Sequence, residues 1–593
     1  MEFPRRFGGA PDCVAAELTI SMEVTFPDDL QMRALVLAGG MNLAVANQMK
    51  IFSHVSRLRL STLLVGLLLS LPGQAQLADT NSPSLVQWGA WQNWGDQGDG
   101  TYQNPVLPAD FSDLDCIRVG QDYYAISSTF QFSPGVVILH SRDLVNWEIE
   151  GHAVADLTQI TPELNWDRMN RYGKGIWAGA IRYHDGKFWI YFGAPDEGYF
   201  MTTAEKAAGP WTPLHAVLRE SGWDDCCPFW DNDGQGYLVG SNFRDGYKIH
   251  LWKLTPDGRD LVKASGQVIH QSKGSEANKL YKFNGVYYHL FSEVKREGRV
   301  VMMERATNIF GPYAEEKQLN HADRAAKEPN QGGLVQTGPG GWYWFTHHGS
   351  GDWEGRCASL LPVTWMAGWP IIGKVGADGI GSMVWSGKKP VEEKPVLGLQ
   401  TDAGFTATKL PPQWEWNYQP RAEKWSLTER PGWLRLRAFR PLETNSLLKV
   451  GNILTQRCWR TATNAVVVEL DLSGMTAGQQ AGLCHFAKTY SALGVKQDGE
   501  IRTLIYLANG VMTSGPAITG EKLWLKSVWG LNGMSQYSFS LDGKSFADFG
   551  PSYQLTWGNY RGDRLGLFSF NLNSDEGYVD VHGFRLTYTR TVK

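Results

Sequence analysis

The sequence predicts an all-β protein in which a five-bladed β-propeller is followed by an antiparallel β-sandwich. Three observations lead to this fold class. Aromatic doublets recur behind turn signals about every 50–65 residues in the first part of the chain. Period-two apolar patterns, separated by Gly, Asn and Ser loops, fill the last third. A charged stretch with two prolines at 388–395 lies between the two regions and is typical of a linker.

Composition excludes several classes of protein. The 593 residues carry a formal net charge of -4, which provides no electrostatic footprint for nucleic acid. Seven cysteines in a chain of this length exclude a scaffold built from disulfides, and no Cys/His spacing matches a zinc site. The length requires more than one domain. Trp is frequent, with 25 residues, and we interpret most of them as core packing rather than sugar contacts.

One apolar run, at 60–71, is too short to cross a bilayer, which takes about 20 residues. Basic residues precede it, and small residues at 73 and 75 follow it, as in a secretory signal peptide. We therefore predict that translation starts at Met49, that 49–75 is a signal peptide, and that 1–48 is an artefactual N-terminal extension. The exported chain would begin at Gln76 with a linker over 76–97, would be secreted or periplasmic, and would keep no membrane anchor.

The repeated doublets define the blades of the propeller, which we place at 98–385. Most doublets follow Asp-Gly, Asn-Gly or Gly-Gly, as in β-hairpins. The five doublets are Tyr123-Tyr124, Phe188-Trp189, Tyr237-Leu238, Tyr287-Tyr288 and Tyr343-Trp344.

The positions about ten residues before each doublet begin the strands that line the channel of a propeller. They fall at or beside Asp113, Ala178, Cys227, Glu276 and Gln331. Two of the five are carboxylates, in blades 1 and 4, which are not neighbours. A separated pair of carboxylates is what an inverting glycoside hydrolase needs: one activates water and the other protonates the leaving oxygen.

The sequence motifs around these positions resemble those of glycoside hydrolase family 43. They include YQNPVLP at 102–108, HSRDLVNW at 140–147, SEANKLYK at 275–282, LPVTW at 361–365 and GWPIIG at 368–373. The resemblance covers the whole first domain and implies a five-bladed propeller with β-xylosidase or α-L-arabinofuranosidase activity.

The resemblance also implies roles. Asp113 corresponds to the general base, Glu276 to the general acid, and Arg356 to an arginine that contacts the sugar. In the family, the motif that contains the general acid usually reads Glu-Gly-Pro, whereas this chain has Glu276-Ala277-Asn278. A general acid at neutral pH requires a raised pKa.

A third family carboxylate, which tunes the pKa of the acid, is expected in the second blade. The matching position is Ala194, so we assign the role to Asp196, two residues on and on the same face of an extended chain. Glu197, or a site with two carboxylates only, are the alternatives.

Aromatic and histidine candidates complete the predicted pocket. Trp177, Phe132 and Phe229 lie beside the sequence motifs of the predicted channel-lining strands. They are candidates for an aromatic platform that stacks on the sugar, with core packing as the alternative. His347 ends a strand aimed at the channel, where relatives hold Ca²⁺ or water through a histidine. A hydrogen-bonded core histidine is the alternative for His347.

The second domain is predicted at 398–593, behind a linker at 386–397. Alternating segments at 433–437, 465–472, 564–570 and 578–581 predict its strands. The words QWEWN at 413–417 and WSLTERP at 425–431 resemble the concanavalin-like, jelly-roll C-terminal domain of family 43 β-xylosidases. This implies a sandwich that packs on the propeller and restricts the enzyme to chain ends. An independent carbohydrate-binding module is the alternative.

These observations predict a secreted inverting exo-glycosidase that releases xylose or arabinose from hemicellulose- or pectin-type oligosaccharides or polysaccharides. No cofactor is required, although Ca²⁺ in the channel is a further expectation. The alternatives are an enzyme acting on galactosyl linkages, a non-catalytic glycan-binding propeller, and a protein-binding scaffold. The sequence does not determine the oligomeric state.

Overall fold

The computed structural model describes residues 93–322, 331–348, 352–392 and 399–589. The predicted extension 1–48, the predicted signal peptide 49–75 and most of the predicted linker 76–97 lie outside these residues. Within the described part of the chain, no helix is long and apolar enough to cross a membrane. The helices there are short 3-10 turns at Leu157–Gln159, Pro162–Leu164, Lys263–Ser265, Ala422–Lys424 and Leu447–Lys449.

Five antiparallel sheets follow one another along the chain and form the blades of the predicted propeller. Blade 1 contains Asp115–Val119, Asp122–Ser127, Gly135–Ser141 and Trp147–Val154. Blade 2 contains Gly179–His184, Lys187–Ala194, Gly198–Ala204 and His215–Leu218. Blade 3 contains Trp223–Trp230, Gly236–Asn242, Lys248–Lys253 and Gln267–Gln271. Blade 4 contains Glu276–Phe283, Val286–Lys295, Gly298–Ala306 and Glu315–Gln318. Blade 5 contains Gly332–Gly338, Gly341–His348, Cys357–Met366 and Trp369–Ile372.

Two of the predicted hairpin turns have the backbone that their sequences favour. Asp185 and Gly186 have φ of 48° and 73°, and Asn284 and Gly285 have φ of 50° and 81°. Two consecutive left-handed residues are the signature of a type I′ hairpin, for which Asp-Gly and Asn-Gly are the preferred sequences. All five doublets lie on the second strand of their blades, as predicted.

The ring of blades is closed by the chain that enters it. Leu107–Asp110 pairs with Cys357–Met366, so the segment before blade 1 adds a strand to blade 5. Two smaller sheets lie beside the ring, one of Gly95–Asp96, Thr101–Gln103 and Ser386–Lys388, the other of Lys374–Val375 and Gly381–Ser382. The first of them shows that the predicted linker at 386–397 begins with a paired strand.

Two large antiparallel sheets form the second domain, as predicted. One contains, in spatial order, Val511–Ala517, Ile501–Ala508, Tyr490–Asp498, Gln479–Phe486, Arg564–Asn571, Leu454–Arg457 and Glu415–Asn417. The other contains Trp425–Ser426, Leu434–Arg437, Tyr578–Tyr588, Thr463–Asp471, Lys522–Gly530, Met534–Ser540 and Ala547–Asp548, with Tyr553–Gln554 also on Met534–Ser540.

The two domains share a sheet. The propeller strand Phe132–Ser133 pairs with Glu415–Asn417, so the first sandwich sheet continues into the propeller. These backbone hydrogen bonds join the two domains directly.

A buried ion cluster reinforces this junction. Glu415 accepts hydrogen bonds from Arg457 Nη1 at 3.0 Å and Arg564 Nη2 at 2.5 Å, and its Oε1 lies 3.1 Å from Nε2 of His152 in blade 1. Arg457 Nε also donates to the carbonyl oxygen of Asp110 at 2.6 Å. Burial alone would raise the pKa of Glu415, but the two arginines and His152 hold it well below its usual range.

We expect Glu415→Gln to destabilise the protein by about 3 kcal/mol at pH 7, because it leaves two buried guanidinium groups without their counter-charge. The folded-state pKa of Glu415 is depressed, so this stabilisation is present above its ordinary value of 4.5 and is lost as the pH falls further. Denaturant melts from pH 3 to 8 should therefore show wild type and variant converging at acid pH. The exposed Glu500→Gln is the matched control, and an unchanged midpoint for Glu415→Gln at pH 7 would refute the assignment.

Candidate active site

Asp113 lies in the turn that leads into the innermost strand of blade 1, and blade 5 holds it. The residue is buried and has a left-handed backbone, with φ of 54°. Its backbone N–H donates to His347 Nδ1 at 2.8 Å, and Arg356 Nη1 donates to its Oδ1 at 2.5 Å. A charge-assisted hydrogen bond of this kind fixes the direction of a carboxylate. Asp113 and Arg356, which the sequence predicted to share the site, are thus in direct contact.

Glu276 is the first residue of the innermost strand of blade 4, the position that the repeat predicted. Its Oε1 lies 3.1 Å from Arg299 Nη1, and its side chain keeps 27% of its surface exposed. Arg299 is itself held, because Nη1 donates to the carbonyl oxygen of Gly274 at 2.7 Å and to Ser292 Oγ at 3.1 Å. Glu276 is therefore oriented yet remains accessible from solvent.

Blade 3 supplies two further carboxylates that sequence reasoning missed, Asp224 and Asp225. Burial raises the pKa of Asp224 well above its usual range. The negative charges of Asp225, Asp113 and Glu276 raise it further. Burial and the charge of Asp113 also raise the pKa of Asp225. Repulsion among these carboxyl groups therefore favours the protonated forms of Asp224 and Asp225, without removing the negative charge of the group as a whole.

The carboxylates that interact with Asp113 and Glu276 thus come from blade 3, whereas Asp196 of blade 2, predicted for the third role, contacts basic residues. Asp196 Oδ2 lies 2.7 Å from Lys174 Nζ and 3.5 Å from Arg171 Nε. The alternative, Glu197, accepts a hydrogen bond from Arg171 Nε at 2.9 Å. Both acidic side chains thus form ion pairs with Arg171 or Lys174, and these basic groups balance their charge.

A β-bulge explains why Asp225 escaped the repeat. The register of blade 3 shifts between Asp224 and Cys227, and Asp225 has φ of 52°. Counting back from the doublet in a regular strand gives Cys227, whereas the extra residues of the bulge bring Asp225 to the active-site end. The adjacent pair Asp224-Asp225 before PFWD was the available signal.

Trp177 lies at the site, beside an aromatic residue of the sandwich. Its ring centroid is 5.5 Å from that of Tyr560 and 6.0 Å from that of Phe243. The guanidinium carbon of Arg356 lies 5.4 Å from the centre of the Tyr560 ring. Ser112 Oγ, next to Asp113, donates to the carbonyl oxygen of Tyr560 at 2.9 Å. Tyr560 therefore brings the second domain into contact with residues that surround Asp113.

The structure contradicts the other two aromatic candidates. Phe132 is 0% exposed, and its ring lies under the guanidinium groups of Arg561 and Arg564, at 4.5 and 4.0 Å. It packs in the domain junction and cannot reach a sugar.

Phe229 is at the wrong end of its blade. Its ring contacts Tyr287, whose strand partner Lys282 lies six residues along from Glu276. Six residues of extended chain span about 20 Å, so Phe229 packs near the hairpin turns, far from the acid.

His347 has a structural contact of its own. Its Nδ1 accepts the Asp113 N–H and lies 3.9 Å from Asp113 Oδ1. Among the described residues, two groups of side chains are arranged so that they could hold a metal ion, Cys458 with His485 and Asp563, and His140 with Glu148 and Glu150, and neither contains His347. Calcium at His347 stays a prediction.

The chain is similar to known glycoside hydrolases. The model of "Glycosyl hydrolases family 43" matches residues 102–370, and that of "Beta xylosidase C-terminal Concanavalin A-like domain" matches residues 402–587. A beta-xylosidase of Formosa agariphila is 35% identical over 571 residues, covering 87% of this chain and 95% of that protein. A non-reducing end alpha-L-arabinofuranosidase of Bacteroides ovatus is 30% identical over 384 residues, covering 60% of this chain and 68% of that protein. Among solved structures, the GH43 protein BlXynB of Bacillus licheniformis has 25% identity and a TM-score of 0.71, covering 82% of this chain and all of that one.

Proposed function

The chain belongs to glycosyl hydrolase family 43, and from this premise we propose that it is an inverting exo-glycosidase that releases a terminal pentose. The general class is a glycoside hydrolase of the β-xylosidase and arabinofuranosidase type. The observation that carries the proposal is the group of carboxylates Asp113, Glu276, Asp224 and Asp225 at the starts of three innermost strands.

In the proposed reaction, Asp113 acts as the general base and Glu276 as the general acid. Ionised Asp113, oriented by Arg356 and by the His347 contact, takes a proton from water. The water oxygen forms a bond to the anomeric carbon while the glycosidic C–O bond breaks. Glu276 transfers its proton to the departing oxygen. Water attacks opposite the leaving group, so no covalent enzyme intermediate forms and the anomeric configuration inverts.

We assign Asp225, together with Asp224, the task of keeping the acid protonated before the reaction. Negative charge close to Glu276 disfavours a second negative charge there, which opposes the effect of Arg299. Once Glu276 has given up its proton, Arg299, at 3.1 Å, stabilises the carboxylate that forms. The two neighbours thus serve the two protonation states of one group.

The proposed exo action rests on the Tyr560 loop, the segment between the strands Tyr553–Gln554 and Arg564–Asn571. Tyr560 contacts both Trp177 and Arg356, and its backbone is bound by Ser112 beside the base. From this position of a sandwich residue we infer that the site takes a chain end rather than a continuous chain. This favours a pocket wall over an independent carbohydrate-binding module.

We expect Tyr560→Ala to raise KM for a pentose disaccharide by about tenfold with a smaller change in kcat, because it removes ground-state contacts. Tyr560→Phe, which keeps the ring, is the matched control and should retain at least half of wild-type kcat/KM. Steady-state kinetics with xylobiose checks both variants. An unchanged KM in Tyr560→Ala would show that the loop does not contact the sugar.

Xylose and arabinose are the proposed sugars, on hemicellulose- or pectin-type oligosaccharides, because the relatives above are named β-xylosidase and α-L-arabinofuranosidase. The purified protein should be assayed with 4-nitrophenyl β-D-xylopyranoside, α-L-arabinofuranoside and β-D-galactopyranoside. Hydrolysis of either pentoside supports the proposal. Hydrolysis of the galactoside alone, or of none, would contradict it.

We propose that the segment 49–75 directs export to the periplasm or the medium. We also propose that the reaction needs no cofactor, because carboxylates supply both proton transfers. N-terminal sequencing of the exported protein should begin at Gln76. Peptides from 1–48 in the precursor would contradict a start at Met49. If Ca²⁺ binds near His347, exhaustive EDTA treatment should lower the melting temperature, and Ca²⁺ should restore it.

A further inference from the structure

The two residues that follow Glu276 both bind Asp225 in the neighbouring blade. The Ala277 backbone N–H donates to the Asp225 carboxylate, and Asn278 Nδ2 donates to the Asp225 carbonyl oxygen at 3.0 Å. Ala277 has a left-handed backbone, with φ of 64°, and the register of blade 4 shifts between Glu276 and Lys279. The bulge thus turns this short segment toward blade 3.

The Asn278 side chain is fully buried, and its orientation is determined by its partners. Nδ2 donates to the Asp225 carbonyl oxygen and also to Ser241 Oγ at 2.6 Å. Oδ1 lies 3.0 Å from His289 Nε2. Because a carbonyl oxygen only accepts, the nitrogen of the amide must face Asp225.

A buried chain of side chains anchors Asn278 from behind. His289 Nδ1 lies 2.8 Å from Glu304 Oε1, and His270 Nδ1 lies 3.0 Å from Glu304 Oε2. Burial raises the pKa of Glu304, but its hydrogen bonds to the two imidazoles lower it below its usual range. A carboxylate held between two histidines fixes the His289 ring, and His289 in turn fixes the Asn278 amide.

On the far side, Gln331 of the blade 5 entrance donates from Nε2 to Asp225 Oδ1. Asp225 is therefore bound at its carboxylate by Ala277 and Gln331, and at its carbonyl by Asn278. Only the last of these contacts comes from a side chain on the strand that carries Glu276.

We propose that Asn278 is a positioning residue that fixes Asp225 relative to the general acid Glu276 and so sets the acid's geometry. The inference rests on the proposed function. Asn278 itself does not touch the sugar. It ties the bulge after Glu276 to the bulge after Asp224, so its loss lets the two carboxyl groups drift apart while the rest of the site stays intact.

The test uses the dependence of the rate on the leaving group. A glycoside with a poor leaving group, such as xylobiose, needs proton donation from Glu276. From a 2,4-dinitrophenyl glycoside, the dinitrophenolate leaves without a proton. We expect Asn278→Ala to lower kcat/KM for xylobiose by about 10²-fold relative to the dinitrophenyl glycoside, since small displacements of a catalytic group have effects of this size. If the enzyme prefers arabinose, the corresponding arabinofuranosides replace both substrates.

Two further variants keep the test decisive. Ser241→Ala removes the other Nδ2 acceptor but leaves the bond to Asp225, so the ratio of the two rates should stay within about twofold of wild type. His289→Phe keeps the residue Asn278 but removes the His289 contact that orients its amide. It should change the ratio of the two kcat/KM values about three- to tenfold, in the same direction as Asn278→Ala. It also serves if Asn278→Ala does not fold.

A purely structural role for Asn278 would lower both rates equally, through loss of folded enzyme, and an unchanged ratio in Asn278→Ala and His289→Phe overturns the inference. Failure of the proposed function looks different. In that case Glu276→Gln would not change the ratio either, or the wild-type protein would hydrolyse neither substrate.

Discussion

Asp113→Asn should lower kcat by about 10³- to 10⁴-fold on every substrate, whatever the leaving group. The amide keeps the shape of the side chain and can still accept the hydrogen bond from Arg356, so the fold should survive. It cannot take a proton from water, however, and water activation is required for each turnover. Initial rates with xylobiose and with a 2,4-dinitrophenyl glycoside should therefore fall together.

The control for this prediction is Asp122→Asn, at the blade 1 hairpin. Asp122 is half-exposed and contacts His140 and Arg142 on the surface. Its replacement should leave both rates within about twofold of wild type. Full activity in Asp113→Asn, confirmed with protein free of wild-type contamination, would remove the base from the mechanism.

Glu276→Gln should lower kcat/KM for xylobiose by about 10³-fold and for a 2,4-dinitrophenyl glycoside by less than tenfold. The reason is that a dinitrophenolate leaves without a proton, while a sugar alkoxide does not. The same pair of substrates measures both. Unlike Asp113→Asn, this variant separates the two rates, so the two carboxylates can be distinguished by a single assay.

Glu316→Gln provides the comparison in the same blade, because Glu316 is exposed on the outer strand Glu315–Gln318. It should not change either rate. Equal losses on both substrates in Glu276→Gln would mean that Glu276 is needed for binding or folding instead of proton transfer.

The fold was predictable because each blade carries its own local signal. Asn284-Gly285 and Asp185-Gly186 determine their hairpins with no help from distant residues, and the alternation at 465–472 determines a sandwich strand. Asp113 and Glu276 were predicted from the same repeat, since Glu276 begins its strand and Asp113 lies two residues before the strand Asp115–Val119.

The misses have one physical cause: they depend on contacts between distant segments or on a break in regularity. Asp225 reaches the active-site end through a bulge that a count along a regular strand cannot include. Tyr560 meets Trp177 across 383 positions of the chain, and only the domain packing brings them together. Phe132 lies near the motifs of the predicted channel strands in sequence. In the structure it belongs to a sheet shared with the sandwich and is covered by two arginines of that domain.

The stereochemistry of the first-formed product tests the central claim most directly. Proton NMR spectra recorded within the first minutes of hydrolysis of an aryl β-xyloside, before mutarotation, report the anomer that leaves the enzyme. Direct attack by water activated at Asp113 predicts α-xylose first, or the β-anomer from an α-L-arabinofuranoside. First-formed product with retained configuration would require a covalent intermediate and would contradict the assignment of Asp113 as a base and Glu276 as its partner acid.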